Sequence, residues 1–219
     1  MTVTARELLA EIQRDAAAVP WANRFVAAVA DGRAPLPAVA ALAAEEWHII
    51  PSDRRSFLVL AARSAEPAAI GLFTALAQGE DAVLPLVPPL AAAAGLDAAG
   101  LAAYEPRPGA QAYAGRVAWL ALHADPAAAA LAIVANFGAW GGYCAALAAG
   151  LRARYGFDDA ACAFPDFFAT PAPELVERAV AAAQAALDAG RPLADARRQG
   201  RLLHAYEMQF WDTLADLPT

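Results

Sequence analysis

One carboxyl group near the end of the chain stands beside two aromatic rings. In "YEMQFWD" (206–212), Glu207 precedes Phe210 and Trp211 by three and four residues, so a helix places all three on one face. A carboxyl group in such surroundings is either a solvated helix residue or a group whose proton affinity is adjusted for acid–base chemistry. The spacing alone leaves both interpretations open.

A second carboxyl group falls on an apolar helix face. In "LAAEEWHII" (42–50), Glu46 shares the i, i+4, i+7, i+8 spacing of an inward face with Leu42, Ile49 and Ile50. A buried carboxylate without a partner costs several kcal/mol or takes up a proton, so Glu46 should be hydrogen-bonded or have a raised pKa. The alternative is a solvated helix face.

A third stretch, "VANFGAWGGYCAAL" (134–147), combines a polar stripe with glycine. Asn136, Trp140 and Cys144 repeat at four-residue intervals and are predicted to follow one side of a helix. Three glycines remove side-chain bulk beside this stripe: Gly138, Gly141 and Gly142. Interior helical glycines each cost about 0.5–1 kcal/mol relative to alanine, so close helix packing or room for a ligand against Trp140 is expected.

The residues that bind metals are few and dispersed. His48, His123 and His204 fall on three different predicted helices, and the two cysteines lack metal-binding spacing. We predict no metal site and no cofactor. His48 could pair with Glu45 three residues before it, and His204 could bond to the acid three residues after it.

Short helical segments position these residues. Apolar residues recur with the helical period between Pro, Gly and Asp signals, and no alternating β-branched segment occurs. The sequence therefore predicts an all-α bundle in which residues 1–219 form a single domain. The predicted helices are roughly 5–19, 21–30, 36–50, 53–65, 68–78, 80–94, 111–124, 126–155, 171–189 and 193–214.

Charge and hydropathy exclude several classes of partner. The net charge is −7, and the sixteen basic residues, all arginine, are scattered apart from Arg197, Arg198 and Arg201. Nucleic-acid binding is therefore not predicted. Every long apolar run contains Gly, Pro or a charge, and the acidic N-terminal segment lacks the apolar centre of a signal peptide. We predict a cytoplasmic protein that does not bind membranes.

Five stretches occur in an order that resembles the TenA family, the thiaminase-II-like proteins of the haem-oxygenase-like fold. They are "LAAEEWHII", "PGAQAYAGRVAWLAL", "AIVANFGAWGGYCAALAAGL", "FPDFFATPAPELVERA" and "YEMQFWD". The resemblance implies an all-helical bundle that forms homo-oligomers, dimers or tetramers. It also implies a central pocket that binds an aminopyrimidine and hydrolyses a C–N bond without a cofactor.

Matching positions extend the resemblance to individual residues. Glu46 matches the acid that hydrogen-bonds the pyrimidine, and Glu207 matches the late glutamate that shuttles protons, so both are implied to be catalytic. Phe168, with Phe167 as the alternative, matches an aromatic residue that follows the long helix. The residues implied to bind the ligand are Trp47, Tyr113, Asn136, Trp140, Phe168, Phe210 and Trp211.

The sequence departs from the family pattern at the nucleophile. Asn136 stands at the position of the family cysteine and Trp140 at that of a tyrosine, and asparagine is not an activated nucleophile at neutral pH. Glu46 and Glu207 could instead activate water as base and acid, with Cys144 as a fallback nucleophile. The alternatives are a small-ligand-binding or regulatory protein without catalysis and a cofactor-free biosynthetic enzyme. Too few ligands remain for an iron oxidase of the same fold.

Overall fold

Helices account for the regular structure of residues 3–217, the part of the chain that the computed structural model describes. No strand occurs in this range, so the all-α prediction is confirmed. The predicted domain extends two residues beyond each end of it. The helices are α1 (Ala5–Ala17), α2 (Arg24–Ala30), α3 (Leu36–Arg63), α4 (Pro67–Val83), α5 (Val87–Ala93), α6 (Ala98–Ala103), α7 (Pro108–His123), α8 (Pro126–Val134), α9 (Phe137–Tyr155), α10 (Asp159–Ala169), α11 (Pro173–Asp188) and α12 (Ala196–Ala215), with a 3₁₀ turn at Leu84–Leu86.

Side-chain caps define several helix starts. Thr4 and Glu7 form a capping box at α1, in which the Thr4 hydroxyl accepts from the Glu7 amide and the Glu7 carboxylate accepts from the Thr4 amide. Asp125 accepts a hydrogen bond of 2.8 Å from the amide of Ala127 at the start of α8. The predicted start of α11 at 171 is two residues early, because Pro173 occupies the first helical position.

A proline does not interrupt α3. The predicted division into helices 36–50 and 53–65 was wrong, because one helix of 28 residues continues through Pro51. Proline removes a single backbone hydrogen bond, and the packing of Ile49, Ile50 and Phe57 on either side outweighs that loss. The continuous helix places Asp53 two turns beyond Glu46 on the same face.

The predicted single helix 126–155 is interrupted. Helix α8 ends at Val134 and α9 begins at Phe137. The amide of Asn136 donates to the carbonyl of Ile133, three residues back, rather than four. The carbonyl of Asn136 accepts a hydrogen bond of 3.0 Å from the amide of Trp140, so Asn136 is the N-cap of α9.

Two helices were not predicted. Both α6 and α10 start at an aspartate whose carboxylate accepts from a backbone amide three residues later, Asp97 from Gly100 and Asp158 from Ala161. Helix α6 is six residues long and α10 contains Pro165, so neither shows a sustained helical period.

The core consists of two apolar clusters with a polar layer between them. The first cluster draws mainly on α1, α8 and α11, and the second on α2, α5 and α10. Four helices contribute to both: α3, α4, α7 and α12. On α3, α4 and α12 the change from one cluster to the other falls at an acidic residue, and on α7 Tyr113 packs against both clusters. We call these four residues the polar layer: Asp53, Glu80, Tyr113 and Glu207.

Two helical stretches, Pro67–Ala93 and Pro126–Tyr155, are long and apolar enough to cross a membrane by length and composition alone. Core helices of soluble proteins meet the same criterion, and both stretches are interrupted, at the 3₁₀ turn and at Asn136. They are weak support for a membrane location.

Close packing of α2 against α9 depends on Gly150. A β-carbon at this position would lie 2.9 Å from Ala30 Cα and 3.0 Å from the Val29 carbonyl oxygen, both backbone atoms. We expect Gly150→Ala to lower the free energy of unfolding by about 1–3 kcal/mol in urea denaturation. Gly142→Ala in the same helix meets no atom within 4 Å and is the matched control, with an expected gain of about 0.5–1 kcal/mol. Equal effects of the two substitutions would contradict this account of the α2–α9 contact.

Candidate functional site

Glu207 is buried with one of its carboxylate oxygens held and the other without a partner. The residue is 2% exposed, and its Oε1 accepts a hydrogen bond of 3.2 Å from Trp211 Nε1. Within the described residues Oε2 has no hydrogen-bond partner, and His204 Nδ1 lies 3.8 Å from it. Because the indole N–H only donates, Oε2 is the oxygen that can exchange a proton.

Aromatic rings pack around Trp211, the hydrogen-bond donor to this carboxyl group, and we call them the aromatic enclosure: Trp140, Phe168, Phe210 and Trp211. The ring of Trp140 lies 5.1 Å from that of Trp211, 6.2 Å from Phe210 and 5.7 Å from Phe168. Phe210 and Trp211 are 2% and 1% exposed, so they exclude water from one side of the enclosure. Phe167, the alternative to Phe168, is exposed. The structure therefore brings together four of the predicted ligand-binding residues.

Glu46 lies inside the bundle on α3. It is 4% exposed, and none of the hydrogen bonds in the described part of the chain involves its carboxyl group. Burial, together with the charges of Asp53 and Glu45, raises the pKa of Glu46 to about 8. It is therefore mainly protonated at neutral pH. The next residue, Trp47, is half-buried against the second cluster and makes no ring contact with the aromatic enclosure in the described structure.

Two further acids lie between the clusters, and the sequence analysis missed both. Asp53 is buried, and this burial raises its pKa to about 8. Glu80 is half-buried, and burial plus the charges of Asp53, Glu46 and Asp81 raise its pKa well above the usual range. The spacing of seven residues from Glu46 to Asp53 was the available signal, but dividing the helix at Pro51 concealed it.

Tyr113 lies between the acids. It packs against both apolar clusters. Burial raises its pKa well above the usual range, and so do the charges of Asp53, Glu207, Glu46 and Glu80. Its hydroxyl group therefore stays protonated and can donate a hydrogen bond.

Cys144 is a thiol that both predicted catalytic acids influence. It is fully buried on α9, and burial, with the charges of Glu46 and Glu207, raises its pKa well above the usual range. Because the thiolate is the nucleophilic form, Cys144 is poorly suited to the role of fallback nucleophile.

Asn136 opens into a separate cleft of about 350 Å³ on the outside of the enclosure. The cleft lies between the end of α1, the α8–α9 turn and α12, and its walls include Trp21, Tyr143 and His204. The charge of Glu207 contributes, after burial, to a raised pKa of Tyr143, so the cleft and the buried carboxyl group are neighbours. No hydrogen bond among the described residues links Asn136 to Glu46 or Glu207.

The glycines beside Trp140 have two different roles. Gly138 lines the cleft and has no atom within 4 Å of its β-carbon position. At Gly141 that position is 3.0 Å from the Phe168 carbonyl oxygen, so this glycine permits close packing of α10 on α9. Close helix packing therefore applies at Gly141, whereas the open space at Gly138 belongs to the outer cleft, whose lining does not include Trp140.

Glu45 has a structural role. It is fully buried and accepts hydrogen bonds from the Tyr104 hydroxyl (2.7 Å), the Arg107 amide (2.9 Å) and Gln111 Nε2 (2.6 Å). These bonds fix the start of α7. The predicted pairing of Glu45 with His48 was wrong, because His48 instead stacks on Tyr104 with ring centroids 6.4 Å apart.

The acids do not form a metal-binding arrangement. Across residues 3–217, no group of three His, Cys, Asp or Glu side chains is placed to hold a metal ion. Glu46 and Asp53 lie two turns apart on α3, Glu80 lies on α4 and Glu207 on α12.

The buried acids make stability depend on pH. A carboxyl group whose pKa is raised in the folded state binds its proton there more tightly than in the unfolded chain, so stability falls as pH rises from about 4 to about 8. We expect Asp53→Asn to raise the free energy of unfolding by a few kcal/mol at about pH 8.5, and by much less at about pH 4.5. Urea denaturation at both pH values measures this. An equal effect at the two pH values would contradict the raised pKa.

Comparison with solved structures defines the class of fold. A domain of unknown function with a haem-oxygenase-like fold from Shewanella denitrificans OS217 aligns with a TM-score of 0.70 and 12% identity, over 95% of this chain and 89% of that chain. The chain therefore has the haem-oxygenase-like fold. No known family's sequence profile matches the chain, and neither does any curated protein.

Within that fold the structure is TenA-like. A TenA family transcription regulator from Silicibacter sp. TM1040 aligns with a TM-score of 0.70 and 16% identity, covering 99% of this chain and 98% of its own. A TenA homologue from P. horikoshii OT3 gives 0.68 and 16%, with 96% and 95% covered. The predicted TenA-like fold is confirmed. At identities this low, the structural similarity establishes the fold and not the activity.

Proposed function

We propose that the protein is a TenA-like enzyme that hydrolyses a C–N bond of an aminopyrimidine or related nitrogen heterocycle by carboxyl acid–base chemistry. The observation that carries the proposal is the unpartnered Oε2 of the buried Glu207 carboxyl group beside the aromatic enclosure. Glu46, on another helix, is a second buried carboxyl group, and the charges of both acids act on Cys144. Two carboxyl groups in different environments suit a division into acid and base.

Glu207 is the base in this proposal. Its Oε1 is held by Trp211, which fixes the carboxylate and leaves Oε2 to accept a proton from water. The oxygen of that water attacks the ring or side-chain carbon that bears the leaving nitrogen. The water proton resides on Glu207 after attack.

Glu46 is the acid. A carboxyl group with a pKa of about 8 holds its proton at neutral pH and can deliver it to the departing nitrogen as the C–N bond breaks. The proton held by Glu207 then returns to Glu46 through solvent or through the product. The net change is the addition of one water molecule across the broken bond.

The enclosure favours a flat substrate. The rings of Trp140 and Phe168 meet edge to face at 84° and are both only partly buried, so they are the rings of the enclosure that a planar ligand can reach. Tyr113 contributes a hydroxyl donor close to both acids. A planar ring with nitrogen atoms at its edge matches these contacts.

The experiment incubates the purified protein with aminopyrimidines and with thiamine and follows product release by mass spectrometry. Hydrolysis of an amino group releases ammonia and replaces nitrogen by oxygen, an increase of about one mass unit that resolves readily. We expect turnover of at least one of these compounds. Absence of turnover for all of them would contradict the enzymatic proposal.

A second candidate function is ligand binding without catalysis. Asn136 occupies the position of the family nucleophile, and Cys144 is held as a thiol, so no activated cysteine faces the enclosure in the described structure. The Silicibacter neighbour is a transcription regulator. Strong thermal stabilisation by an aminopyrimidine in the absence of turnover would favour this function.

We also propose that the protein forms homo-oligomers, dimers or tetramers, in the cytoplasm. Trp119 and Leu122 near the end of α7 are 41% and 61% exposed, and Leu58 and Val59 on the adjacent α3 are exposed as well. Large exposed apolar residues on neighbouring helices are typical of interfaces. Light scattering after size-exclusion chromatography measures the mass, and a monomer would contradict the proposal.

A further inference from the structure

We propose that Asp53 and Glu80 form a cation subsite, beside the Glu46–Glu207 pair, that binds a primary ammonium group. This inference rests on the proposed function only in assuming that the same ligand also reaches Glu207. It extends the substrate class to a heterocycle with a basic amine on a side chain, or to a short diamine.

The packing of α3 against α4 places the two acids side by side. An ion pair of 2.5 Å between Arg54 Nε and Asp81 Oδ1, at the surface, marks where the two helices face each other. Asp53 and Glu80 each come one residue before a member of that pair. Whereas the ion pair lies at the surface, Asp53 is buried and belongs to the polar layer with Glu80.

Asp53 has a buried carboxyl oxygen without a partner. It is 5% exposed, and its Oδ1 is buried without a hydrogen bond in the described structure. Arg54 is engaged by Asp81, and Arg55 is exposed. Without a ligand this acid holds its proton, whereas a positively charged donor would pair with its ionised form, so we expect the missing partner to come from a cationic ligand.

The chemistry of the subsite favours an organic ammonium group over a metal ion. The described acids offer no arrangement of three donors around one point. An ammonium group has three N–H donors directed outwards and can be shared between carboxylates on two helices. Glu80 and Tyr113 are only partly buried, so the polar layer is not sealed from solvent.

Helix geometry sets the spacing within the ligand. Seven residues separate Glu46 from Asp53, which corresponds to about 10 Å along the axis of α3. A ring bound at Glu46 and Glu207 with an amine on a flexible chain of a few atoms spans this distance. Anionic substituents such as phosphate are disfavoured, because the acids around this space would repel them.

The test measures binding of putrescine by isothermal titration calorimetry at about pH 8, where the acids ionise readily. The neutral analogue 1,4-butanediol is the ligand control. We expect Asp53→Asn and Glu80→Gln each to weaken putrescine binding by about tenfold or more, since each removes a charged acceptor. Asp81→Asn is the matched control, because it removes one charge next to Glu80 at an exposed position, and a change within about twofold is expected.

The outcomes separate this inference from the proposed function. If the wild type binds no putrescine, or if both Asp53→Asn and Glu80→Gln bind it as tightly as the wild type, the subsite is wrong. An equal loss in Asp81→Asn would also overturn it, because general surface charge would then explain binding. Aminopyrimidine turnover by the wild type tests the proposed function independently. Thermal unfolding confirms that each variant is folded. Because the two subsite variants lie on different helices, the test does not depend on one variant that fails to fold.

Discussion

Glu207→Gln is expected to lower the turnover of an aminopyrimidine by a factor of about 10²–10⁴, the usual contribution of a positioned general base or acid. Glutamine keeps the size of the side chain, and its oxygen still accepts the hydrogen bond from Trp211 Nε1. The substitution removes only the ability of Oε2 to accept a proton. Steady-state kinetics should therefore show a loss in kcat with the thermal stability retained.

The control for this variant is Glu177→Gln, which makes the same chemical change on α11 at a residue with 61% side-chain exposure. It should leave turnover unchanged. Wild-type turnover by Glu207→Gln would show that the carboxyl group does not take part in the reaction and would contradict the catalytic assignment.

Trp211→Ala is expected to lower the free energy of unfolding by about 3–5 kcal/mol, the range for large aromatic residues removed from a core. Trp211 is 1% exposed, and its ring contacts those of Phe25, Trp140, Tyr143 and Phe210. The substitution would open a cavity where α2, α9 and α12 meet. It would also leave Glu207 Oε1 without its donor.

Two comparison variants separate packing from hydrogen bonding in urea denaturation. Trp211→Phe keeps most of the ring and removes the N–H group, with an expected cost of about 1–3 kcal/mol from the unpaired acceptor. Trp119→Ala removes a tryptophan that is 41% exposed and should cost much less than Trp211→Ala. Similar losses in Trp119→Ala and Trp211→Ala would contradict the role given to Trp211 in the enclosure.

The sequence predicted which residues of α12 lie together, because helical spacing determines which side chains share a face. Glu207, Phe210 and Trp211 lie at i, i+3 and i+4 of an amphipathic helix, so whichever face is buried carries all three. Glu46 was predicted to point inwards for the same reason. The structure places both acids inside the bundle.

The Asp53–Glu80 pair could not be predicted because it depends on tertiary packing. Local propensity treats Pro51 as a helix end, whereas packing on both sides carries α3 through it. Glu80 comes to lie beside Asp53 only when α4 is docked on α3 with Asp81 opposite Arg54. Neither the continuation of α3 through Pro51 nor the docking of α4 on α3 produces a periodic pattern within one segment of the sequence.

The environment of Asn136 also could not be predicted from the sequence. An uninterrupted helix would have placed Asn136, Trp140 and Cys144 on one stripe facing one space. In the structure Asn136, at the N-cap of α9, lines the outer cleft, Trp140 belongs to the enclosure, and Cys144 is buried in the interior. Three residues at four-residue intervals therefore lie in three different environments.

A crystal structure of the protein with a bound aminopyrimidine would show directly whether Glu207 and Glu46 act on the ligand. We expect the ring to stack within the aromatic enclosure, with a nitrogen atom or the attacking water within hydrogen-bond distance of Glu207 Oε2. Glu46 should lie on the opposite side of the ligand. A ligand bound only in the outer cleft beside Asn136 and His204, with Glu46 and Glu207 both remote from it, would contradict the account.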